Sequence, residues 1–150
     1  RNCDWSSDVC SSDLAGEPPV GLAPFLIASF LNGVVIEIGR KIRAPADEEH
    51  GVETYSVLWG PSRAARVWLA VVVATGAMAL GAAYVADALA GVALVMVPAM
   101  AASAFVVWRF VRALPSSSGK QLEIASGLWT LLLYGSLGIA PQLSGASVGA

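Results

Sequence analysis

Charged residues are scarce in this sequence. Asp, Glu, Lys and Arg make up 13% of its 150 residues, whereas 56% are hydrophobic. Soluble domains carry roughly 25% charged residues, so most of the surface of this protein does not face water. With two cysteines, Cys3 and Cys10, and one histidine, His50, the chain lacks the residues for a disulfide framework or a zinc cluster. Its nine Lys and Arg residues are too few and too localised for a nucleic-acid partner.

The first fourteen residues, RNCDWSSDVCSSDL, differ from the rest of the chain. They are polar and rich in Ser and Asp, and they lack the basic segment and apolar run of a signal peptide. The string resembles the translation of a sequencing adapter. We therefore interpret residues 1–14 as an artefact, with a disordered tail as the alternative, and expect natural upstream sequence to be missing before residue 15.

Four apolar stretches follow, each about twenty residues long. They cover residues 21–39, 64–86, 88–110 and 122–143. A helix of about twenty residues crosses a hydrocarbon core of about 30 Å, and it satisfies its own backbone hydrogen bonds there. The sequence therefore predicts an all-α protein, a polytopic transmembrane helical bundle with four spans, embedded in a lipid bilayer.

The basic residues indicate the orientation of these spans. Apart from Arg1, all of them lie at or beside two alternate connections, residues 40–63 and 114–119: Arg40, Lys41, Arg43, Arg63, Arg66, Arg109, Arg112 and Lys120. The turn at Asp87 and the C-terminal tail carry no base. The positive-inside rule then places the charged loop in the cytoplasm, which for a bacterial protein means the inner (plasma) membrane.

Three tryptophans lie near the same predicted surface. They are Trp59, Trp68 and Trp108. Amphipathic rings are favoured at membrane interfaces, so we expect all three to be interfacial anchors.

The first connection has a dense mixture of charges. Four acids occur in it, Asp47, Glu48, Glu49 and Glu53, and the bases Arg40, Lys41 and Arg43 come shortly before them. Mg²⁺ prefers oxygen ligands, usually one or two carboxylates plus phosphate oxygens of the substrate. Lys and Arg neutralise the remaining phosphate charge. The mixture of charges favours a site that binds a diphosphate together with a divalent metal. A solvated connecting loop is the alternative.

A polar strip leads into this loop from the first span. Its members are spaced four apart and so share one helix face: Ser29, Gly33, Glu37 and Lys41, flanked by Asn32 and Arg40. Ionisable residues within a membrane usually face a water-filled cavity or a partner. Glu37 is therefore either a functional carboxylate or the ion-pair partner of Lys41.

The loop also contains a spaced motif. Asp47 precedes Gly51 by four residues, the run Gly51-Val52-Glu53-Thr54 follows, and Gly60 lies nine residues beyond Gly51. This pattern resembles the second aspartate-rich motif of UbiA-type intramembrane prenyltransferases, which are helical enzymes of nine spans. The resemblance covers about residues 20–143 and implies that residues 15–150 are the C-terminal part of such a domain, about helices six to nine. The chain departs from the motif at Arg43, which stands where the family has its first acid.

The resemblance implies a reaction and the residues that carry it. The family transfers a prenyl group from a prenyl diphosphate to a lipophilic or aromatic acceptor. The implied catalytic residues are Asp47 and Glu37, the implied Mg²⁺ ligands are Asp47, Glu48 and Glu49, and the implied diphosphate-binding residues are Arg40, Lys41 and Arg43. The family's first aspartate-rich motif is absent, so we expect this fragment to be inactive alone.

Two other classes of membrane protein fit the sequence less well. A small four-helix transporter or membrane-anchor subunit is the main alternative, but a transporter is expected to have charged residues deep in several spans, and the second to fourth spans have none near their centres. A CDP-alcohol phosphatidyltransferase would need a D-G-x-x-A-R signature, which does not occur.

Overall fold

The computed structural model describes residues 20–43, 54–113 and 119–146. Every regular element within these ranges is an α-helix. In chain order they are α1 (Leu22–Arg40), α2 (Tyr55–Trp59), α3 (Pro61–Val85), α4 (Leu89–Arg112) and α5 (Lys120–Ala146). The interpretation of residues 1–14 as an artefact lies outside the described residues.

Four of these helices are long and apolar enough to cross a membrane. Their most apolar windows have mean hydropathies between 1.4 and 2.2, which confirms the predicted fold class of a four-span, all-α integral membrane protein. The predicted boundaries are correct to within three residues, and the largest difference at a helix start is in α3. This helix begins at Pro61 rather than at residue 64, because Gly60, with a φ of 79°, turns the chain and Pro61 occupies the first helical position, where proline is favoured.

The four long helices form one bundle. α1 packs on α3 and α5, α4 packs on the same two helices, and α3 and α5 also touch each other. α1 and α4 therefore lie on opposite sides of the bundle. The largest fully buried side chains form its core: Trp68, Trp129, Phe110, Ile42, Met96, Leu122 and Leu133.

Both charged connections lie at the same end of this bundle. A Cβ atom added to Gly119, just before α5, would lie 2.5 Å from the carbonyl oxygen of Ile42, just after α1. We call this the charged end, where α1 and α4 end and α3 and α5 begin. The opposite end contains the turn at Asp87, whose φ of 53° is one that aspartate adopts more readily than most residues.

The prediction of three interfacial tryptophans is wrong for Trp68. Trp59 and Trp108 are 42% and 51% exposed, whereas Trp68 is fully buried. Trp68 lies four residues after Ala64 and four before Val72, and both of those residues are also fully buried. Residues four apart share a helix face, so Trp68 lies on the face of α3 that points into the bundle.

Labelling of introduced cysteines tests the topology. With Cys3 and Cys10 replaced by serine, we expect Val57→Cys and Ala86→Cys to react with a membrane-impermeant reagent from opposite sides, with Val57→Cys on the cytoplasmic side. Val57 is 61% exposed, whereas the neighbouring Ser56 is buried and would be a poor site for labelling. Reaction of both cysteines from the same side would overturn the four-span topology.

Candidate functional site

A groove runs along the outer face of α1 and ends at the charged end of the bundle. Its volume is about 610 Å³. We call it the α1 groove, and its walls are Ser29, Phe30, Gly33, Val34, Glu37, Ile38, Tyr55 and Trp59. The polar strip predicted from the sequence thus lines a cavity, and apolar side chains from α1 and rings from α2 provide the rest of the wall.

Glu37 and Lys41 form an ion pair at the end of this groove. The Glu37 Oε1 and Lys41 Nζ atoms are 2.6 Å apart, and both side chains are about half exposed. Glutamate four residues before lysine is the favourable order for such a pair on a helix. The structure therefore confirms the pairing that the sequence left open, while a functional role of Glu37 remains a prediction.

The ion pair also favours the protonated form of Lys41. Its hydrogen bond to the Glu37 carboxylate, together with the attraction of the opposite charges, raises the pKa of Lys41. A lysine side chain is protonated at neutral pH even without such a partner, and the ion pair favours the same form. The ammonium group lies 5.8 Å from the centre of the Tyr55 ring, within the range of a weak cation–π contact.

Two hydrogen bonds donated by backbone amides join the end of α1 to the start of α2. The amide of Arg43 donates to Ser56 Oγ over 2.8 Å, and the amide of Tyr55 donates to the carbonyl oxygen of Lys41 over 3.2 Å. Residues 41–43 and 54–56 therefore lie side by side, next to the α1 groove.

Capping residues set both ends of the short helix α2. The Thr54 hydroxyl accepts a hydrogen bond from the Val57 amide, as an N-cap residue does, and Gly60 ends the helix. The rings of Tyr55 and Trp59 stack with centres 4.8 Å apart. This loop is therefore helical in its last part, whereas residues 44–53 lie outside the described residues.

The structure brings together only some of the predicted site residues. Arg40 is exposed on the last turn of α1, next to the Glu37–Lys41 pair. The predicted metal ligands Asp47, Glu48 and Glu49 lie outside the described residues. Among the residues that are described, no three His, Cys, Asp or Glu side chains converge on a metal position. The predicted carboxylate set does have the oxygen chemistry that suits Mg²⁺.

Asn32 does not belong to the polar strip, contrary to the sequence prediction. It is 2% exposed, and its Oδ1 atom lies 3.2 Å from Thr130 Oγ1 on α5. Successive residues of a helix are rotated by about 100°, which turns Asn32 away from the groove that Gly33 lines. Asn32 is therefore part of the packing between α1 and α5.

Sequence reasoning also missed a buried polar cluster beneath the groove. Trp68 Nε1 donates to Ser126 Oγ over 3.0 Å and to the carbonyl oxygen of Val35 over 3.1 Å. The Ser126 hydroxyl in turn lies 2.8 Å from the carbonyl oxygen of Leu122. These bonds join α1, α3 and α5 directly behind the wall that carries Glu37. The signal in the sequence is weak, because a single Ser or Trp in an apolar span is also common without such a role.

Two further cavities occur in the described part of the chain. One, of about 580 Å³, lies between α4 and α5, and another, of about 400 Å³, lies toward the Asp87 end. Neither is lined by a charged side chain, so the α1 groove is the candidate functional site. No protein-family model, curated protein or solved structure matches this chain.

Proposed function

We propose that this chain is part of an intramembrane prenyltransferase, which moves a prenyl group from a prenyl diphosphate to a lipophilic or aromatic acceptor. The observation that carries the proposal is the α1 groove, which has apolar walls in a membrane-spanning helix and an ion pair at its charged end. A molecule with a hydrocarbon tail and an anionic head is likewise apolar along most of its length and charged at one end. The UbiA-type spacing of the adjoining loop supports the same class of substrate.

The basic residues at the end of the groove would bind the diphosphate. Lys41 is held by Glu37 and stays charged, and Arg40 adds a second cation on the same turn. Charge-assisted hydrogen bonds to phosphate are among the stronger ones in proteins. Glu37 positions the Lys41 ammonium group, and Arg43 follows where the charged loop leaves the bundle.

The acids of the loop would act beside these bases. Arg43 is anchored at the groove by its hydrogen bond to Ser56. Asp47 follows Arg43 by four residues, which span at most about 14 Å, so its carboxylate would be within reach of this end of the groove. We propose Asp47, Glu48 and Glu49 as the residues that hold Mg²⁺, which when bound would neutralise charge on the leaving diphosphate.

The apolar walls of the groove suit the reaction itself. In the proposed transfer the bond between the prenyl C1 atom and the diphosphate oxygen breaks, and its electron pair leaves with the diphosphate. The acceptor attacks the allylic carbon, a new bond forms and the acceptor loses a proton. Phe30, Val34 and Ile38 line the groove and would exclude water, which would otherwise capture the allylic cation.

Binding of a prenyl diphosphate to the purified protein in detergent tests this proposal. We expect Mg²⁺-dependent binding, and we expect Lys41→Gln to weaken it about tenfold, because one charge-assisted contact of about 1.5 kcal/mol is lost. Asp47→Ala should remove the part of the affinity that depends on Mg²⁺. Titration calorimetry with and without a chelator measures both effects.

The matched control is Arg63→Gln, which removes an exposed base at the start of α3 that is not part of the Glu37–Lys41 ion pair. Its affinity should stay within about twofold of the parent, since surface charges have small effects. Equal binding of a prenyl alcohol and its diphosphate, or binding unchanged by both Lys41→Gln and chelator, would contradict the proposal. That result would favour a transporter or anchor subunit.

A further inference from the structure

A second feature of the charged end lies on α4, across the bundle from the α1 groove. Four exposed side chains occupy its last two turns: Phe105, Trp108, Arg109 and Arg112. We call them the α4 ladder. The Phe105 and Trp108 rings stack with centres 5.7 Å apart, and the Arg112 guanidinium lies 4.4 Å from the centre of the Trp108 ring.

The two guanidinium groups carry charge that the described residues do not neutralise. Within residues 20–43, 54–113 and 119–146, neither Arg109 nor Arg112 is in an ion pair. The sequence has no acid between Arg109 and Glu123. The negative end of the helix dipole amounts to only about half an elementary charge, so it leaves more than one positive charge in excess.

The ladder spans the depth at which a phospholipid changes from hydrocarbon to headgroup. Phe105 and Arg112 are seven residues apart, about 10 Å along the helix axis. Phe105 and Trp108 are 58% and 51% exposed, in a helix whose composition suits a membrane span. Tryptophan is favoured at the interface, which puts the rings beside acyl chains and the guanidinium groups at the level of lipid phosphates.

We propose that the α4 ladder binds the headgroup of an anionic phospholipid, with Arg109 and Arg112 on the phosphate and the stacked rings against the acyl chains. The complementary charge selects this occupant over a zwitterionic lipid. A basic residue near an anionic bilayer contributes about 1 kcal/mol, which corresponds to about fivefold in affinity. The site is independent of the α1 groove and of the proposed transfer reaction.

Native mass spectrometry of the purified chain tests this proposal by titration with phosphatidylglycerol and with phosphatidylcholine of the same acyl chains. We expect the first phosphatidylglycerol to bind at least about fivefold more tightly. The double variant Arg109→Gln/Arg112→Gln should lose this preference. The matched variant Arg63→Gln/Arg66→Gln removes two bases from the same end of the bundle and should keep it.

Three results would overturn the proposal. The first is an equal affinity of the parent for both lipids. The second is an equal loss of the phosphatidylglycerol preference in the two double variants, which would indicate only a diffuse surface potential. The third is displacement of the lipid by excess inorganic phosphate. The single variants Arg109→Gln and Arg112→Gln should each lose part of the preference. If the double variant does not fold, the same titration of these single variants tests the proposal. Raised salt should weaken the preference in the parent, because it screens exposed charges.

Discussion

Trp68→Ala is expected to lower the free energy of unfolding by about 3–5 kcal/mol, as large aromatic truncations in packed cores do. Trp68 is fully buried, and its indole N–H bonds to both α1 and α5. The substitution leaves a cavity at the junction of three helices and deprives the Ser126 hydroxyl of a donor. Unfolding by titration with SDS in mixed micelles, followed by circular dichroism, measures the loss.

Trp68→Phe separates the two contributions. Phenylalanine fills most of the indole volume but has no N–H, so the loss should be far smaller than for alanine; the lost hydrogen bond alone is worth about 0.6 kcal/mol in a membrane protein. Trp108→Ala is the control, because this ring is 51% exposed and its removal leaves no cavity in the core. If Trp68→Ala and Trp108→Ala destabilise the protein equally, Trp68 is not the packing centre described above.

The four spans could be predicted from the sequence because the bilayer imposes a length and a composition that apolar runs show directly. The ends of the helices are harder to predict from apolar runs. Pro61 and Gly60 together begin α3 three residues earlier than the apolar run does, since proline and glycine act through backbone angles and not through hydropathy. The short helix α2 depends in the same way on local residues, since the Thr54 side chain caps its start and Gly60 ends it.

The inward faces of the helices could not be predicted in the same way. In a soluble protein, polarity separates the buried face of a helix from the exposed one, but lipid is as apolar as the core. Trp68 and Phe105 look alike in sequence as aromatic residues of a span, yet one is fully buried and the other 58% exposed. Glu37 and Lys41 were easier to place, because charge is rare in a span and their spacing of four brings them together.

Gly39 determines how closely α1 approaches the two helices behind it. A Cβ atom added there would overlap Ser126 Oγ, and it would lie 3.1 Å from both Ser126 Cβ and Trp68 Nε1. Rotation of the Ser126 hydroxyl cannot relieve all of these contacts, since its Cβ atom is fixed to the α5 backbone. Any larger residue at position 39 therefore separates α1 from α5, and it shifts Glu37 and Lys41 on the same helix.

Gly39→Ala is accordingly expected to destabilise the bundle by about 1–3 kcal/mol, as overpacking does, and to weaken binding of a prenyl diphosphate at the α1 groove. Gly127→Ala is the matched control, because its added Cβ would meet nothing within 4 Å and alanine favours a helix over glycine by about 1 kcal/mol. Ser126→Gly should restore part of the stability of Gly39→Ala, because it removes Ser126 Oγ and Cβ, two of the three atoms that the new methyl group meets. The same SDS titration of the parent, Gly39→Ala, Ser126→Gly and the double variant Gly39→Ala/Ser126→Gly gives a double-mutant cycle. A Gly39→Ala protein as stable as the parent, or one that Ser126→Gly does not rescue, would show that α1 and α5 are not in this close contact.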